Sequence, residues 1–191
     1  MNKRVTNSVI EEITAFGRST ALKDGFSKQD FEKASNYAFE IAKRLNLPEK
    51  TIEHIKKAYI LHDLGKIGID NSILKKKDPL VDGEFQQIKR HPEISASILK
   101  PISSLQETLP MILHHHERWD AKGYPKGLKK EQIPIGARII SVVDTYQALT
   151  SNRPYRKAYP KEKAIDIIKN ETGTNFDPRV VEAFLEILNE P

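Results

Sequence analysis

One segment of the chain reads Ala58-Tyr59-Ile60-Leu61-His62-Asp63-Leu64-Gly65-Lys66. It closes a predicted helix over about 51–62, in which apolar residues recur at steps of three and four positions. A histidine and an aspartate stand side by side at the end of this helix, and both side chains can ligate a metal ion. Burying them without a positive partner would be costly. Gly65 is expected to stop the helix just after the pair.

The rest of the chain is also helical in pattern. The 191 residues fit one ordinary domain, with 38% hydrophobic and 30% charged residues, as is typical of a globular protein. We expect an all-α fold, a compact helical bundle with a buried metal centre, with residues 1–25 as an N-terminal helix or linker and 26–191 as the main domain. Further helices are predicted over about 5–22, 28–46, 83–90, 93–99, 105–116, 135–149, 161–170 and 178–189.

Charge and composition exclude several classes of protein. The net charge is +5, but the basic residues are dispersed and form no arginine-rich tract, so no direct DNA binding is expected. No apolar segment approaches the roughly 20 residues that span a bilayer, and no signal peptide opens the chain. Cysteine is absent, which excludes a thiolate metal site. A cytoplasmic location is the prediction.

More residues of ligand type follow the His-Asp pair. His62 continues a helical stripe through Ile55 and Tyr59 and therefore faces the core. Asp144 lies on the apolar face of the predicted helix 135–149, where a carboxylate must be either coordinated or paired with an arginine. Both alternatives stay open for Asp144 taken alone. Asp63 points about 100° away from His62, so the adjacent side chains can serve neighbouring ions.

Histidines supply the other candidates. His114, His115 and His116 are consecutive, and the sequence alone does not decide which of them coordinate. His91 precedes Pro92, and a His-Pro pair is also a simple way to start a helix. Neutral imidazole together with carboxylate suits iron, manganese or zinc. Taken jointly, these residues predict a helical metal site.

In their order along the chain these residues resemble the HD-GYP family, a branch of the HD phosphohydrolases. The resemblance covers about residues 28–189. It implies an HD-type bundle, two divalent metal ions and hydrolysis of the bacterial messenger cyclic di-GMP to a linear dinucleotide or GMP. It is carried by His62-Asp63 with Lys66, His91-Pro92, His115-His116-Glu117-Arg118-Trp119-Asp120, Gly123-Tyr124-Pro125, Asp144 and Arg153-Pro154-Tyr155-Arg156.

The resemblance also implies a role for each residue. Asp63 and Lys66 are the expected catalytic residues, with Asp63 bridging the ions and a hydroxide between the metals attacking phosphorus. The ions are expected to be iron or manganese, with zinc, nickel and magnesium as alternatives. The implied metal ligands are Asp30, His62, Asp63, His91, His115, His116 and Asp144. The implied substrate contacts are Lys66, Gly123, Tyr124, Pro125, Arg153 and Arg156.

The early part of the second helix departs from the family pattern. Asp30 stands where the family usually has a ligand histidine, on a stripe with Ala34 and Tyr37. Its carboxylate is expected to act as a substitute ligand, and a helix cap is the alternative. Phe26 stands where an acidic residue would support a third metal, which favours two.

Three further positions depart from the pattern around the expected site. Ala121 replaces the usual glycine, so the loop is expected to follow a different backbone path. Gln147 and Asn152 replace common aspartates, which would soften the negative charge around the metals.

The sequence leaves three functions open. The first is a metal-dependent cyclic di-GMP phosphodiesterase. The second is a catalytically weak or inactive module that senses cyclic di-GMP or binds a protein, which the departures motivate. The third is an HD hydrolase of another nucleotide or phosphate ester, against which the intact Gly-Tyr-Pro loop argues. Signalling protein partners and a homodimer are also expected.

Overall fold

The computed structural model describes residues 11–20, 27–76, 78–152 and 156–190, and within them every regular element is a helix. The all-α prediction is confirmed. The α-helices are α1 (11–20), α2 (Lys28–Arg44), α3 (Glu49–Leu61), α4 (Asn71–Leu74), α5 (Asp82–Ile88), α6 (His91–Leu99), α7 (Leu109–Leu113), α8 (Ile135–Thr150), α9 (Lys161–Asn170) and α10 (Pro178–Asn189). Short 3₁₀ turns span Leu64–Gly68, Ser103–Thr108 and Lys130–Gln132.

Helix α3 lies at the centre of the bundle. It contacts α2, α7 and α8, and its residues Ile55, Ala58 and Tyr59 are completely buried. Burying one such large apolar side chain contributes about 1.5–3 kcal/mol to folding. Helix α3 ends at Leu61. Its packing therefore places the next two residues, His62 and Asp63, in a buried position beside the core.

The helix predicted over 105–116 is shorter than expected. A 3₁₀ turn occupies Ser103–Thr108, and α7 begins at Leu109 with Pro110 in its first turn. Proline has no N–H to donate, so it is tolerated at a helix start but would interrupt a continuous helix. Helix α7 ends at Leu113, and the three histidines follow in a turn.

Gly65 does not stop a helix; it allows a close contact between two segments. A Cβ atom at Gly65 would overlap the carbonyl oxygen of His91 and lie 2.6 Å from the backbone nitrogen of Ser95. The Ser95 hydroxyl accepts a hydrogen bond from Gly65 N at 2.7 Å and donates to His62 O at 2.8 Å. The predicted helix stop was therefore wrong, and the contact instead lays α6 against the turn after α3.

The described part of the N-terminal segment packs on the bundle. A Cβ atom at Gly17 in α1 would lie 2.6 Å from the carbonyl oxygen of Ile60, and Ile13 packs against the core. The division between 1–25 and 26–191 stays a prediction. Phe26 lies outside the described residues.

No helix in the described ranges is both long enough and apolar enough to cross a bilayer.

Candidate metal centre

Side chains from four parts of the chain meet in one cluster. His91 Nε2 lies 3.2 Å from Asp63 Oδ1 and 3.2 Å from His115 Nε2. The cluster combines the end of α3, the start of α6, the turn after α7 and the middle of α8. We call the following six residues the His/Asp cluster: His62, Asp63, His91, His115, His116 and Asp144.

Backbone carbonyls orient three of the imidazoles. The Nδ1 atoms of His62, His91 and His115 lie 2.6–2.7 Å from the carbonyl oxygen three residues earlier in each case. Because a carbonyl only accepts, these bonds assign a proton to Nδ1 in each ring. In a neutral imidazole Nε2 then carries a lone pair. The lone pairs of His91 and His115 then face each other, and a cation would offset their repulsion.

The electrostatics of the cluster also favour a cation. Burial alone would lower the pKa of His62, but the carboxylates of Asp63 and Asp144 outweigh it and raise the pKa to about 10. Burial and the neighbouring imidazoles lower the pKa of His115 to about 3. Burial and His115 hold the pKa of His116 well below its usual range. The carboxylate side thus attracts positive charge, while neutral imidazoles suited to coordination lie opposite.

The cluster fits divalent metal ions. His62 Nε2 is buried, lies 3.3 Å from Asp63 Oδ2 and 3.7 Å from Asp144 Oδ1, and forms no hydrogen bond within the described part of the chain. Ligand atoms lie within 4.8 Å of one another in two groups, His91-His115-His116 and His62-Asp63-His115. Two overlapping groups of imidazole and carboxylate are the donor set that two neighbouring ions would use.

Asp30 lies outside this arrangement. Its side chain is exposed, and its Oδ2 accepts a hydrogen bond of 2.7 Å from the hydroxyl of Ser27, the N-cap of α2. Asp30 N donates to the same hydroxyl at 3.0 Å. These contacts support the helix-cap alternative for Asp30, and its role as a metal ligand stays a prediction.

Lys66 reaches the edge of the His/Asp cluster. Its Nζ lies 2.7 Å from Asp63 Oδ2, and its side chain is 17% exposed. Burial would raise the pKa of Asp63, but the positive charges of His62 and Lys66 hold it well below the usual range. Lys66 therefore presents a partly accessible cation beside an ionised carboxylate.

The Gly-Tyr-Pro loop lies directly on the cluster. A Cβ atom at Gly123 would overlap the backbone of 116–118, so only glycine allows this approach. Tyr124 N donates to the His116 carbonyl at 3.2 Å. The two rings also stack, with centroids 4.9 Å apart and planes inclined by 24°. The peptide bond between Tyr124 and Pro125 is cis.

Glu117 holds the loop in place from inside. The residue is 2% exposed, and its two carboxylate oxygens accept hydrogen bonds from Lys126 N at 2.7 Å and Leu128 N at 3.0 Å. A buried carboxylate bonded to two backbone amides fixes the path of the chain beyond Pro125.

The departures around the loop have local structural explanations. Ala121 has φ +67°, in the left-handed region that glycine favours. The expected difference in the path of the loop stays a prediction. Gln147 Oε1 accepts a hydrogen bond from the buried Tyr59 hydroxyl. The exposed Asn152 accepts one from Ala158 N at 3.0 Å.

The two expected arginines do not complete the site in the described structure. Arg153 lies outside the described residues. The Arg156 guanidinium donates to the carbonyls of Ala148 at 2.7 Å and Leu149 at 3.2 Å, and it stacks on Tyr159. These contacts hold Arg156 against the last turn of α8, and its role as a phosphate contact stays a prediction.

Sequence reasoning missed two supporting residues. Ser95 lies one helical turn after His91, so its position on the same face was a signal for a contact near the site. Glu117 directly follows the histidines, but its amide partners lie nine and eleven residues later in a loop. No local pattern predicts such pairings.

Comparisons with known proteins agree with this geometry. A model of the HD domain family matches residues 15–180. Over 177 residues the chain is 38% identical to the cyclic di-GMP phosphodiesterase response regulator RpfG of Xanthomonas campestris, covering 92% of this chain and 47% of the relative. Over 184 residues it is 42% identical to a cyclic di-GMP phosphodiesterase of Thermotoga maritima, covering 95% and 50%. The chain thus spans about half the length of these curated relatives.

A solved structure shares the fold. The crystal structure of a cyclic GMP-AMP-specific phosphodiesterase of Vibrio cholerae, V-cGAP3, superimposes with a TM-score of 0.75 at 16% sequence identity. The match covers 95% of this chain and 49% of that one.

Proposed function

This chain belongs to the HD domain family, and from that membership we propose that it is a metal-dependent phosphodiesterase that hydrolyses cyclic di-GMP to a linear dinucleotide or GMP. The observation that carries the proposal is the His/Asp cluster, in which imidazoles and carboxylates from four parts of the chain face one another. The names of the two curated relatives support the choice of substrate.

We propose that the cluster holds two divalent ions. Asp63 lies between the two sides of the cluster, since its Oδ1 approaches His91 and its Oδ2 approaches His62 and Lys66. Iron and manganese suit such mixed ligands, with zinc, nickel and magnesium as alternatives. When bound, such ions lower the pKa of water and offset the charge that develops on phosphoryl oxygens.

The chain's own residues orient the substrate in this proposal. The Lys66 ammonium, held against Asp63, offers a hydrogen bond and a positive charge to a phosphate oxygen beside the cluster. The Tyr124 ring covers His116 and keeps water from that side. Gly123 and Pro125 set the position of this ring, and Arg153 stays a predicted contact.

A module that binds a cyclic dinucleotide without cleaving it is the second candidate. Two observations favour it. Asp30 contributes its carboxylate to a helix cap, and the neutral Gln147 is bonded to Tyr59 near His62. Hydrolysis of another cyclic dinucleotide is the third candidate, because a relative from Vibrio cholerae that is 33% identical over 177 residues is named a 3'3'-cGAMP-specific phosphodiesterase.

The decisive experiment combines elemental analysis with an assay of product formation. We expect two metal ions per chain and hydrolysis of cyclic di-GMP by protein loaded with Mn²⁺ or Fe²⁺. Asp63→Ala should reduce the rate at least about 100-fold, because it removes a shared ligand and leaves buried imidazoles unpaired. Asp166→Ala, which removes an exposed carboxylate on α9, is the matched control.

The outcomes separate the three candidates. Folded, metal-loaded protein that binds cyclic di-GMP without product would support the sensor. Product formed from cyclic GMP-AMP but not from cyclic di-GMP would support the third candidate. A cytoplasmic location, a homodimer and signalling protein partners stay predictions.

A further inference from the structure

Lys89 lies between two aromatic rings beside the His/Asp cluster. It follows α5 directly and precedes His91 by two residues. Its Nζ lies 4.8 Å from the centre of the Phe85 ring and 5.2 Å from the centre of the Tyr124 ring. Because Tyr124 stacks on His116, one ring separates this ammonium group from a proposed metal ligand.

No carboxylate lies within ion-pair distance of Lys89 in the ranges that the structure describes. Two lysines nearby in sequence differ in this respect: Lys66 Nζ lies 2.7 Å from an Asp63 oxygen, and Lys76 Nζ lies 2.7 Å from a Glu84 oxygen. Aromatic faces attract an ammonium group but accept none of its hydrogen bonds in the way that an anion does. Lys89 therefore keeps donors available to an incoming anion.

The surroundings of Lys89 suit part of a nucleotide. Phe85 is 45% exposed, so its ring is accessible to a ligand. Together with Tyr124 it forms an aromatic surface around one positive charge. Such a combination of rings and a cation is the chemistry by which proteins hold the bases and phosphates of unpaired nucleotides.

We propose that Lys89 binds the second phosphate of a cyclic dinucleotide, the phosphodiester that is not being cleaved. This inference rests on the proposed function and names a substrate contact of the same site. A cyclic dinucleotide carries two phosphodiesters in one ring. When one lies at the His/Asp cluster beside Lys66, the other is turned away from the metal ligands. Lys89, across the Tyr124 ring from His116, meets it there.

Two phosphodiester substrates test this contact. Cyclic di-GMP has the second phosphate, whereas bis(p-nitrophenyl) phosphate has only the one that is cleaved. Lys89→Gln should raise KM for cyclic di-GMP about tenfold, the effect of losing one hydrogen bond between charged groups. The kcat/KM for bis(p-nitrophenyl) phosphate should change less than about twofold. If wild type shows no turnover, the equilibrium dissociation constant of cyclic di-GMP replaces KM.

Two variants control for charge and folding. Lys89→Arg keeps the positive charge and should restore most of the affinity. Lys100→Gln removes the charge of an exposed lysine at the end of α6 and should behave as wild type. The Tm of each variant shows whether Lys89→Gln destabilises the fold, as it would if it acted only by disturbing the packing of Phe85 and Tyr124.

Each outcome decides the inference. An equal loss on both substrates, or no loss on cyclic di-GMP, overturns the contact. Cleavage of bis(p-nitrophenyl) phosphate by protein that does not bind cyclic di-GMP also overturns it, while leaving a phosphodiesterase in place. Binding that depends on Lys89 without any turnover supports the contact and contradicts the proposed hydrolysis.

Discussion

Single atoms of the backbone orient the imidazoles of the His/Asp cluster. In His62, His91 and His115 the Nδ1–H donates to a carbonyl within the same turn, so each Nε2 points into the cluster. Fixing the ring in this way removes rotational freedom that metal binding would otherwise have to overcome. His91 also requires that α6 lie in the correct position. The close contact at Gly65 allows that position.

Gly65→Ala should destabilise the protein by about 1–3 kcal/mol, since the new Cβ meets backbone atoms of α6 that cannot move without displacing His91. Urea denaturation followed by circular dichroism measures the change. The matched control is Gly83→Ala in α5, where a Cβ would meet nothing within 4 Å. Gly83→Ala should raise the free energy of unfolding by about 0.5–1 kcal/mol, because alanine favours the helix more than glycine does. Equal effects at the two sites would contradict the close-contact explanation.

The loop from Asp120 to Leu128 is held in position by one buried carboxylate outside it, that of Glu117. Glu117 accepts two amide hydrogen bonds from it, while Tyr124 lies on His116. The loop therefore has its position set by residues that adjoin the metal ligands. A change that displaces this loop should therefore also disturb the neighbouring metal ligands.

Glu117→Gln should lower the free energy of unfolding by about 1–3 kcal/mol. The reason is that the new amide NH₂ faces a backbone N–H where the carboxylate had accepted a hydrogen bond. Trp119, the single tryptophan, lies in the same segment, so its fluorescence during urea denaturation reports the change. Glu107→Gln replaces an exposed carboxylate and should leave the urea midpoint unchanged. The idea fails if the two variants unfold at the same urea concentration.

Across the whole molecule, metal binding should join parts of the chain that are far apart in sequence. The His/Asp cluster gathers residues from 62 to 144, and among the residues that the structure describes its positive charges come from His62 and Lys66. A ligand that binds only the folded chain stabilises it by mass action. Global stability therefore reports occupancy of the site.

Mn²⁺ at 100 times its Kd should stabilise the fold by about 2.7 kcal/mol. For a domain of this size that corresponds to a rise in Tm of about 5–10 °C, measurable by differential scanning calorimetry. EDTA should reverse the shift, and lower pH should reduce it because protons compete with the metal for the imidazole of His62, whose pKa is about 10. Asp63→Ala should lose most of the shift, whereas Asp166→Ala should retain it. A shift of the same size in both variants would show binding elsewhere.

The helical architecture was predictable from the sequence, and so, with the family resemblance, were the candidate ligands. Helices α9 and α10 begin and end where they were predicted, because apolar period, Pro178 and a capping aspartate are local signals. The six residues of the His/Asp cluster were also predicted, since ligand chemistry is a property of residue type.

The partner of each charged side chain depends on packing between segments and was not predictable from the sequence. Asp30 and Arg156 carry suitable charges, yet one caps α2 and the other binds carbonyls of α8. Glu117 accepts a hydrogen bond from the loop at Lys126, and Lys89 lies over the ring of Tyr124 in the same loop. A side chain's partner depends on which segments pack beside it, and in a folded chain those segments are often far apart in sequence.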